Sequence, residues 1–220
     1  MNATNDANRN RVFWGEISPT EHLVQLYGDD EAFLDSLEGF VVGGLLRGEA
    51  VIVIATHEHR NALERRLGQR NDFDLTAARE QDLYIAEDAE ETLSKFMVER
   101  DGQSWPDDHR FERVVGNLLM RARWGGARRH CEKSNGERTV RAFGEMVALL
   151  WARGSTGATV RLEHLWNRVR VLGSGAGKNG GAGFPLFCAY PRSGFTQDAQ
   201  ASLRDICACH TQVVGETVAS

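Results

Sequence analysis

HLVQLYGDDEAFLDSLEGFVVGGLLRGEAVIVIAT, residues 22–56, carries the pattern from which the fold follows. It closes on Ala50 to Thr56, AVIVIAT, an unbroken apolar run of the kind found in strands covered on both faces of a parallel sheet. It opens on His22 to Tyr27, HLVQLY, which reads as the first strand. Between the two, Phe33, Leu34, Leu37, Val41 and Leu45 step by three and four, which is the period of one helix face. Asp29 or Asp30 is placed to cap that helix and Gly48 to end it. Strand, helix and strand in this order form a βαβ unit, whose parallel strands are joined by a crossover.

The pattern repeats outward. Thr56 is placed to cap a helix with Ala62, Leu63 and Leu67 inward and Gly68 beyond its end. Leu83 to Ala86 predicts a third strand, and Asp88 with Glu91 has capping-box spacing, so these two carboxylates take a structural role. Phe111 to Ala122 predicts a helix with Phe111, Val114, Val115, Leu118 and Leu119 on one face. Gly125 to Thr139 has no apolar period and reads as an exposed loop. Val140 to Phe143 predicts a fourth strand, leading through Gly144-Glu145 into the helix MVALLWAR. A further helix follows with Leu162, Leu165, Trp166 and Val169 in register, then the loop GSGAGKNGGAG and a fifth strand, Leu186 to Tyr190. The tail predicts one more helix, with Ala199, Leu203, Ile206, Cys207 and His210 on one face. These units predict an α/β fold: an open, doubly wound, mainly parallel sheet of about five or more strands with helices on both faces. Residues 1–17 read as a disordered arm and 18–220 as one domain, with loop insertions at 125–139 and 173–183.

Composition narrows the function. Of 220 residues, 41% are hydrophobic and 26% charged, the balance of an ordinary globular chain. A net charge of -5 offers no general attraction to a phosphate backbone, so no direct nucleic-acid contact is expected. The only basic patch, Arg121, Arg123, Arg128, Arg129, Lys133 and Arg138, lacks interleaved aromatics beyond Trp124 and reads as a solvated helix end and loop. MNATNDANRN has no apolar core for a secretory signal, and no apolar run approaches the ~20 residues of a membrane span, so a cytoplasmic protein without a membrane partner is expected. The four Cys form no recognisable zinc pattern and read as thiols.

In doubly wound sheets, ligands bind in the crevice beyond the carboxyl ends of the strands. Here those ends supply Tyr27-Gly28-Asp29-Asp30, Thr56-His57-Glu58-His59, Glu87-Asp88, Gly144-Glu145 and Tyr190-Pro191-Arg192. A rim of Tyr27, Thr56, His59, Glu145, Tyr190 and Arg192 above an apolar floor has the make-up of a small-molecule pocket. The run Gly173-Ser174-Gly175-Ala176-Gly177-Lys178 imitates a phosphate-binding loop. It has Leu172 where the first glycine belongs and Asn179 where the magnesium-holding hydroxyl belongs, and no helix start follows it. His57 and His59 lie in one helical turn and read as solvated or capping groups. On a helix, Cys207 and His210 share the buried face while Cys209 points away, so these three read as core packing. Cys188 sits inside an apolar strand and reads as inert, and no G-x-S-x-G is present. No catalytic residue, metal ligand or cofactor is therefore assigned.

The strings HLVQLYGDDEAFLDSLEGFVVGGLLRGEAVIVIATHEHRNAL, DLYIAEDAEETLSKFM, RAFGEMVALLWARG, LEHLWNRV and LFCAY, in this order, resemble the MEDS domain. That is the sensory module of the regulator of dichloromethane dehalogenase and of various bacterial sensor proteins. The resemblance implies a fold like RecA and the circadian-clock ATPases with a degenerate phosphate-binding loop, and a role in sensing hydrocarbon-derived small molecules. Where the ATPases carry glycines, Lys and Ser or Thr, this chain has Tyr27-Gly28-Asp29-Asp30-Glu31, whose carboxylates would repel a triphosphate. Matching positions are His22, Tyr27, Glu31, Thr56, His59, Phe143, Glu145, Trp151 and Tyr190. Tyr27, Asp29, Glu31, Thr56, His59, Glu145, Tyr190 and Arg192 are accordingly expected to bind ligand. The regulator's helix-turn-helix has no counterpart in the residues before the first strand, so direct transcription control is not expected. The expectation is a non-catalytic module that binds a small ligand and signals to a separate partner, a histidine kinase or regulatory protein. One alternative is an unconventional nucleotide-hydrolysing enzyme, with Glu145 activating water and Arg192 facing phosphate. The other is an interaction module without a ligand.

Overall fold

A computed structural model of the chain describes residues 14–125, 137–172, 183–194, 204, 206 and 208–214. Its central element is a six-stranded sheet. In chain order the strands are β1 (His22–Tyr27), β2 (Ala50–Ala55), β3 (Tyr84–Asp88), β6 (Val140–Gly144), β7 (Leu186–Pro191) and β8 (Gln212–Val214). Across the sheet they run β3-β2-β6-β7-β1-β8, and every neighbouring pair is parallel. β4 (Met97–Arg100) and β5 (Gln103–Pro106) form a separate antiparallel hairpin. The α/β class and the parallel, doubly wound sheet agree with the expectation.

The apolar runs become strands because both sheet faces are covered. All six residues of β1 and of β2 are buried. α1 (Asp30–Leu45), α2 (His57–Gly68) and α3 (Leu75–Glu80) lie on one face, where Phe33, Leu37, Leu63, Leu67 and Ala78 pack on Val51, Val53, Phe143 and Phe187. α4 (Ala89–Ser94), α5 (Asp108–Trp124), α6 (Met146–Ala152) and α7 (Thr156–Leu172) lie on the other, where Phe111, Leu162 and Trp166 pack on Ile52, Ile54, Leu186 and Cys188. Each fully buried Leu, Ile or Phe contributes ~1.5–3 kcal/mol relative to exposure, so the two helix layers hold the sheet between them.

Helix starts follow the local chemistry. Asp29 caps α1 by accepting from Ala32 N–H at 3.1 Å, Thr56 caps α2 through His59 N–H at 3.4 Å, and Asp88 caps α4 through Glu91 N–H at 3.0 Å. Gly48, at φ 74, ends the turn after α1. Three elements lie beyond the sequence expectation: α3, the β4–β5 hairpin and β8. The hairpin turns on Asp101 and Gly102 at φ 51 and 76, the two positive angles that a two-residue type I′ turn requires.

Several boundaries shift. The third strand runs to Asp88, two residues past its predicted end, because it pairs with β2 as far as Ala55. Gly68 closes α2 from inside. From Trp14 onward the chain is packed: the indole lies 5.7 Å from the Phe40 ring and 5.3 Å from Phe187. It fits because Gly39 has no Cβ, which would stand 2.4 Å from the indole. Residues 1–13 of the predicted arm, most of both predicted insertions, the glycine-rich run at 173–178, Arg128, Arg129, Lys133, Cys131 and Cys207 lie outside the described residues. Of the predicted tail helix, Arg204, Ile206 and Ala208 are helical, and His210 follows its end.

Candidate functional site

β2 and β6 are neighbours, yet β2 leads into α2 on one face and β6 into α6 on the other. Their carboxyl ends therefore part, and the gap between departing helices is where an open α/β sheet offers a crevice. Gly144 pairs with Ile54, and Glu145 continues the ladder by donating its N–H to Ile54 O at 2.9 Å. Glu145 is also the first residue before α6, but its side chain makes no cap bond to that helix. It turns instead toward β2.

There the carboxylate gathers three donors. Oε2 accepts from Thr56 N–H at 2.8 Å, and Oε1 accepts from the Thr56 hydroxyl at 3.5 Å and stands 2.7 Å from His59 Nδ1. Glu145 is only 4% exposed, so these bonds replace nearly all of its hydration. Burial alone would discharge the His59 ring. The hydrogen bond and charge of Glu145, with Asp30 and Glu58, outweigh that and raise its pKa above the usual value. Nδ1 is thereby committed to Glu145, and among the described residues Nε2 has no hydrogen-bond partner.

Buried aromatic rings pack beneath the His59 ring. Phe33 meets the His59 ring edge-on at 4.9 Å, Tyr27 stacks on Phe33 at 4.6 Å, and Phe143 lies 5.7 Å from Phe33. Burial, then the charges of Glu145 and Asp30, push the Tyr27 hydroxyl up, so it stays a neutral donor. The arrangement is an imidazole held and polarised by a buried carboxylate, above an apolar base and beside a phenol. It suits binding a small molecule with one polar group.

Of the eight residues expected to bind ligand, Tyr27, Thr56, His59 and Glu145 come together here. Arg192, in a 3-10 turn after β7, passes beside Gly28, with its Cδ 3.8 Å from where a Cβ would stand there. Asp29 is engaged as the α1 cap. Glu31 is exposed and pairs with Arg66. Tyr190 does not reach the crevice. Side chains alternate along a strand, and Leu186, Cys188 and Tyr190 point into the α7 layer. His57 stays outside, with Asn61. The basic patch is neutralised in part, Arg121 by Asp82 and Glu87 and Arg123 by Glu137. A groove of about 790 Å³ between α2 and α3 is lined by Arg70 and Arg79 among others, but Glu38, Asp72 and Glu64 already pair with them.

Tyr190 belongs to a second polar cluster, wholly within the α7 layer. Its hydroxyl donates to Glu163 Oε1, and Glu163 Oε2 lies 3.5 Å from His22 Nε2 and 3.6 Å from His210 Nε2. Burial, and then the neighbouring His210 and Arg170, lowers the His22 pKa to about 2, so its ring is neutral. Burial, and then Glu163, pushes the Cys188 thiol well up. No motif marks Glu163 in the sequence; its one signal is a carboxylate between Leu162 and Leu165 in a helix whose neighbouring positions are core.

A family profile for the methanogen/methylotroph, DcmR sensory domain, MEDS, matches residues 21–211. The chain belongs to the MEDS family. The match runs from the residue before β1 into the segment before β8, so it covers both polar clusters of this MEDS domain. A comparison with curated proteins finds no match. Among the described residues of the domain, no helix is long and apolar enough to cross a membrane.

Proposed function

We propose that this MEDS domain is a non-catalytic sensory module that seats a small organic ligand over the Tyr27, Thr56, His59 and Glu145 crevice. One observation carries the reading: Glu145 bridges from β6 to the first turn of α2, so a ligand bonding His59 acts on elements from both faces of the sheet. A ligand that favours one arrangement of this bridge shifts the population between two conformations by its difference in affinity. A separate protein, such as a histidine kinase or regulatory protein, then reads the change. The His59 ring and the edge of the Tyr27–Phe33 stack leave room for a compact ligand at most, in keeping with a small hydrocarbon derivative.

Nucleotide hydrolysis is the weaker reading. The turn after β1 carries Asp29, Asp30 and Glu31 in place of a glycine cradle, and the α1 N-terminus is already capped by Asp29. Both Glu145 oxygens are engaged, which leaves them poorly placed to activate water. Thermal-shift measurements with Mg-ATP, Mg-GTP and a panel of small alcohols, amines and halogenated hydrocarbons test the proposal. Stabilisation by a member of the organic panel, weakened in His59→Ala, is expected. Stabilisation by Mg-ATP with turnover that Glu145→Gln abolishes would replace the sensory reading with the enzymatic one.

A further inference from the structure

We propose that His22, Glu163, Cys188 and His210 form a closed, four-ligand site for one zinc-class divalent ion in the α7 layer. The four donor atoms come from β1, α7, β7 and the segment before β8, and all lie within 4.8 Å of one another. The separations are 3.5 Å from His22 Nε2 to Cys188 Sγ, 3.5 Å from His22 Nε2 to Glu163 Oε2, 3.8 Å from Cys188 Sγ to Glu163 Oε2 and 3.6 Å from His210 Nε2 to Glu163 Oε2. Tetrahedral zinc with bonds of about 2.0–2.3 Å needs donor–donor edges of about 3.3–3.6 Å. These four edges are close to that, and the two others, from His210 to His22 and to Cys188, are at most 4.8 Å, so a shift of the His210 ring toward those donors completes the polyhedron.

The surroundings point each donor atom inward. His22 Nδ1 lies 3.0 Å from Cys209 O and from Asn167 Oδ1, and His210 Nδ1 lies 2.6 Å from Ile206 O. A ring nitrogen facing a carbonyl carries the proton, which leaves each Nε2 lone pair free to ligate, the usual outer support of a metal-bound histidine. Tyr190 occupies Glu163 Oε1 and leaves Oε2 for the ion. His210 Nε2 is buried with no hydrogen-bond partner.

Charge selects the same occupant. The side chains of His22, Glu163 and His210 are 0% exposed, and Cys188 is equally buried. Among the described residues no Lys or Arg pairs with Glu163. A buried carboxylate without a cation is unfavourable, whereas one thiolate, one carboxylate and two neutral imidazoles balance a divalent ion. One sulfur and two nitrogens disfavour magnesium and calcium, which take oxygen shells, and suit zinc. With four protein ligands there is no open position, so the ion is structural. It ties the C-terminal segment to the sheet where β8 adds only Gln212–Val214 to β1. The site is separate from the crevice and does not depend on the sensory reading.

The test uses the full chain, purified without metal-affinity steps. Elemental mass spectrometry is expected to find close to one zinc per chain. Chelator-stripped protein given Co(II) should show intense tetrahedral d–d bands and a thiolate-to-cobalt charge-transfer band. Cys188→Ala should lose the charge-transfer band, and Tyr190→Phe should keep it while binding Co(II) about 10–100-fold more weakly. A folded wild-type chain that holds no zinc and gives no charge-transfer band overturns the proposal, and so does a band that survives in Cys188→Ala.

Discussion

Replacing Glu145 with Gln keeps the shape of the side chain and removes its charge. The carboxylate accepts from both Thr56 N–H and His59 Nδ1 while 4% exposed. An amide has only one oxygen, so its NH₂ must face one of these two donors. The loss of a charged hydrogen bond costs about 1.5–3 kcal/mol, and a stranded buried donor about 1–3 kcal/mol. Because the orphaned group relaxes in part, a net deficit of about 2–4 kcal/mol is expected. In a domain of this size each kcal/mol moves Tm by about 2–4 °C, so the variant should melt roughly 5–15 °C lower. The deficit should depend on pH. In the wild type the His59 pKa is raised, so the stability it adds is complete below the unfolded value of about 6.5 and fades as pH rises through the higher folded value. In Glu145→Gln the burial penalty on the charged ring remains while its partner is gone. The difference between wild type and variant should therefore be larger at about pH 6 than at about pH 8.5. Urea or thermal unfolding followed by circular dichroism at both pH values measures it. A deficit below about 1 kcal/mol, the level of an exposed pair, or one equal at the two pH values, refutes the buried charge-assisted bridge.

Arg141 is 0% exposed, pairs with Glu49 and donates to the carbonyls of Trp14, Gly15 and Phe40. Arg141→Ala should cost about 3–5 kcal/mol by leaving those acceptors unpaired, visible as a lower urea midpoint; a loss under half of that would show the N-terminal segment is held otherwise. Phe111→Ala, which empties the contact between Phe96 and Trp166, should cost about 3–5 kcal/mol in the same assay. Asp29→Ala should cost only about 1 kcal/mol, the value of a cap, and should leave Mg-ATP without effect on the melting temperature. Gain of Mg-ATP stabilisation in that variant would mean that one carboxylate alone had been blocking a phosphate site.

Much of the fold was legible because burial on both sheet faces writes a local signature. AVIVIAT cannot be an amphipathic strand, and the three-and-four stepping of Phe33 to Leu45 cannot be one either. Caps were legible for the same reason: Asp29, Thr56 and Asp88 bond to amides three residues away. β8 was not legible, since three residues, Gln212 to Val214, carry no period and become a strand only through pairing with β1. The β4–β5 hairpin was legible in principle from Asp101-Gly102, but half the residues of its strands, Met97–Arg100 and Gln103–Pro106, are exposed and they lack a clean alternation.

The sites divide along the same line. Strand ends can be found by scanning the chain, so Tyr27, Thr56, His59 and Glu145 could be nominated from their places after β1, β2 and β6. Which of the nominees meet is a matter of strand order. β6 lies beside β2, though 84 residues and three other strands intervene in the chain between Ala55 and Val140, and that adjacency delivers Glu145 to His59. The same holds for His22, Cys188 and His210, each read singly as a strand or helix residue, and for Glu163, which no motif marks. Local sequence determines which face a side chain takes, because backbone geometry repeats every two or 3.6 residues. Only the long-range pairing of strands decides what stands on the other side of that face, and in this MEDS domain that pairing is what brings each of the two polar clusters together.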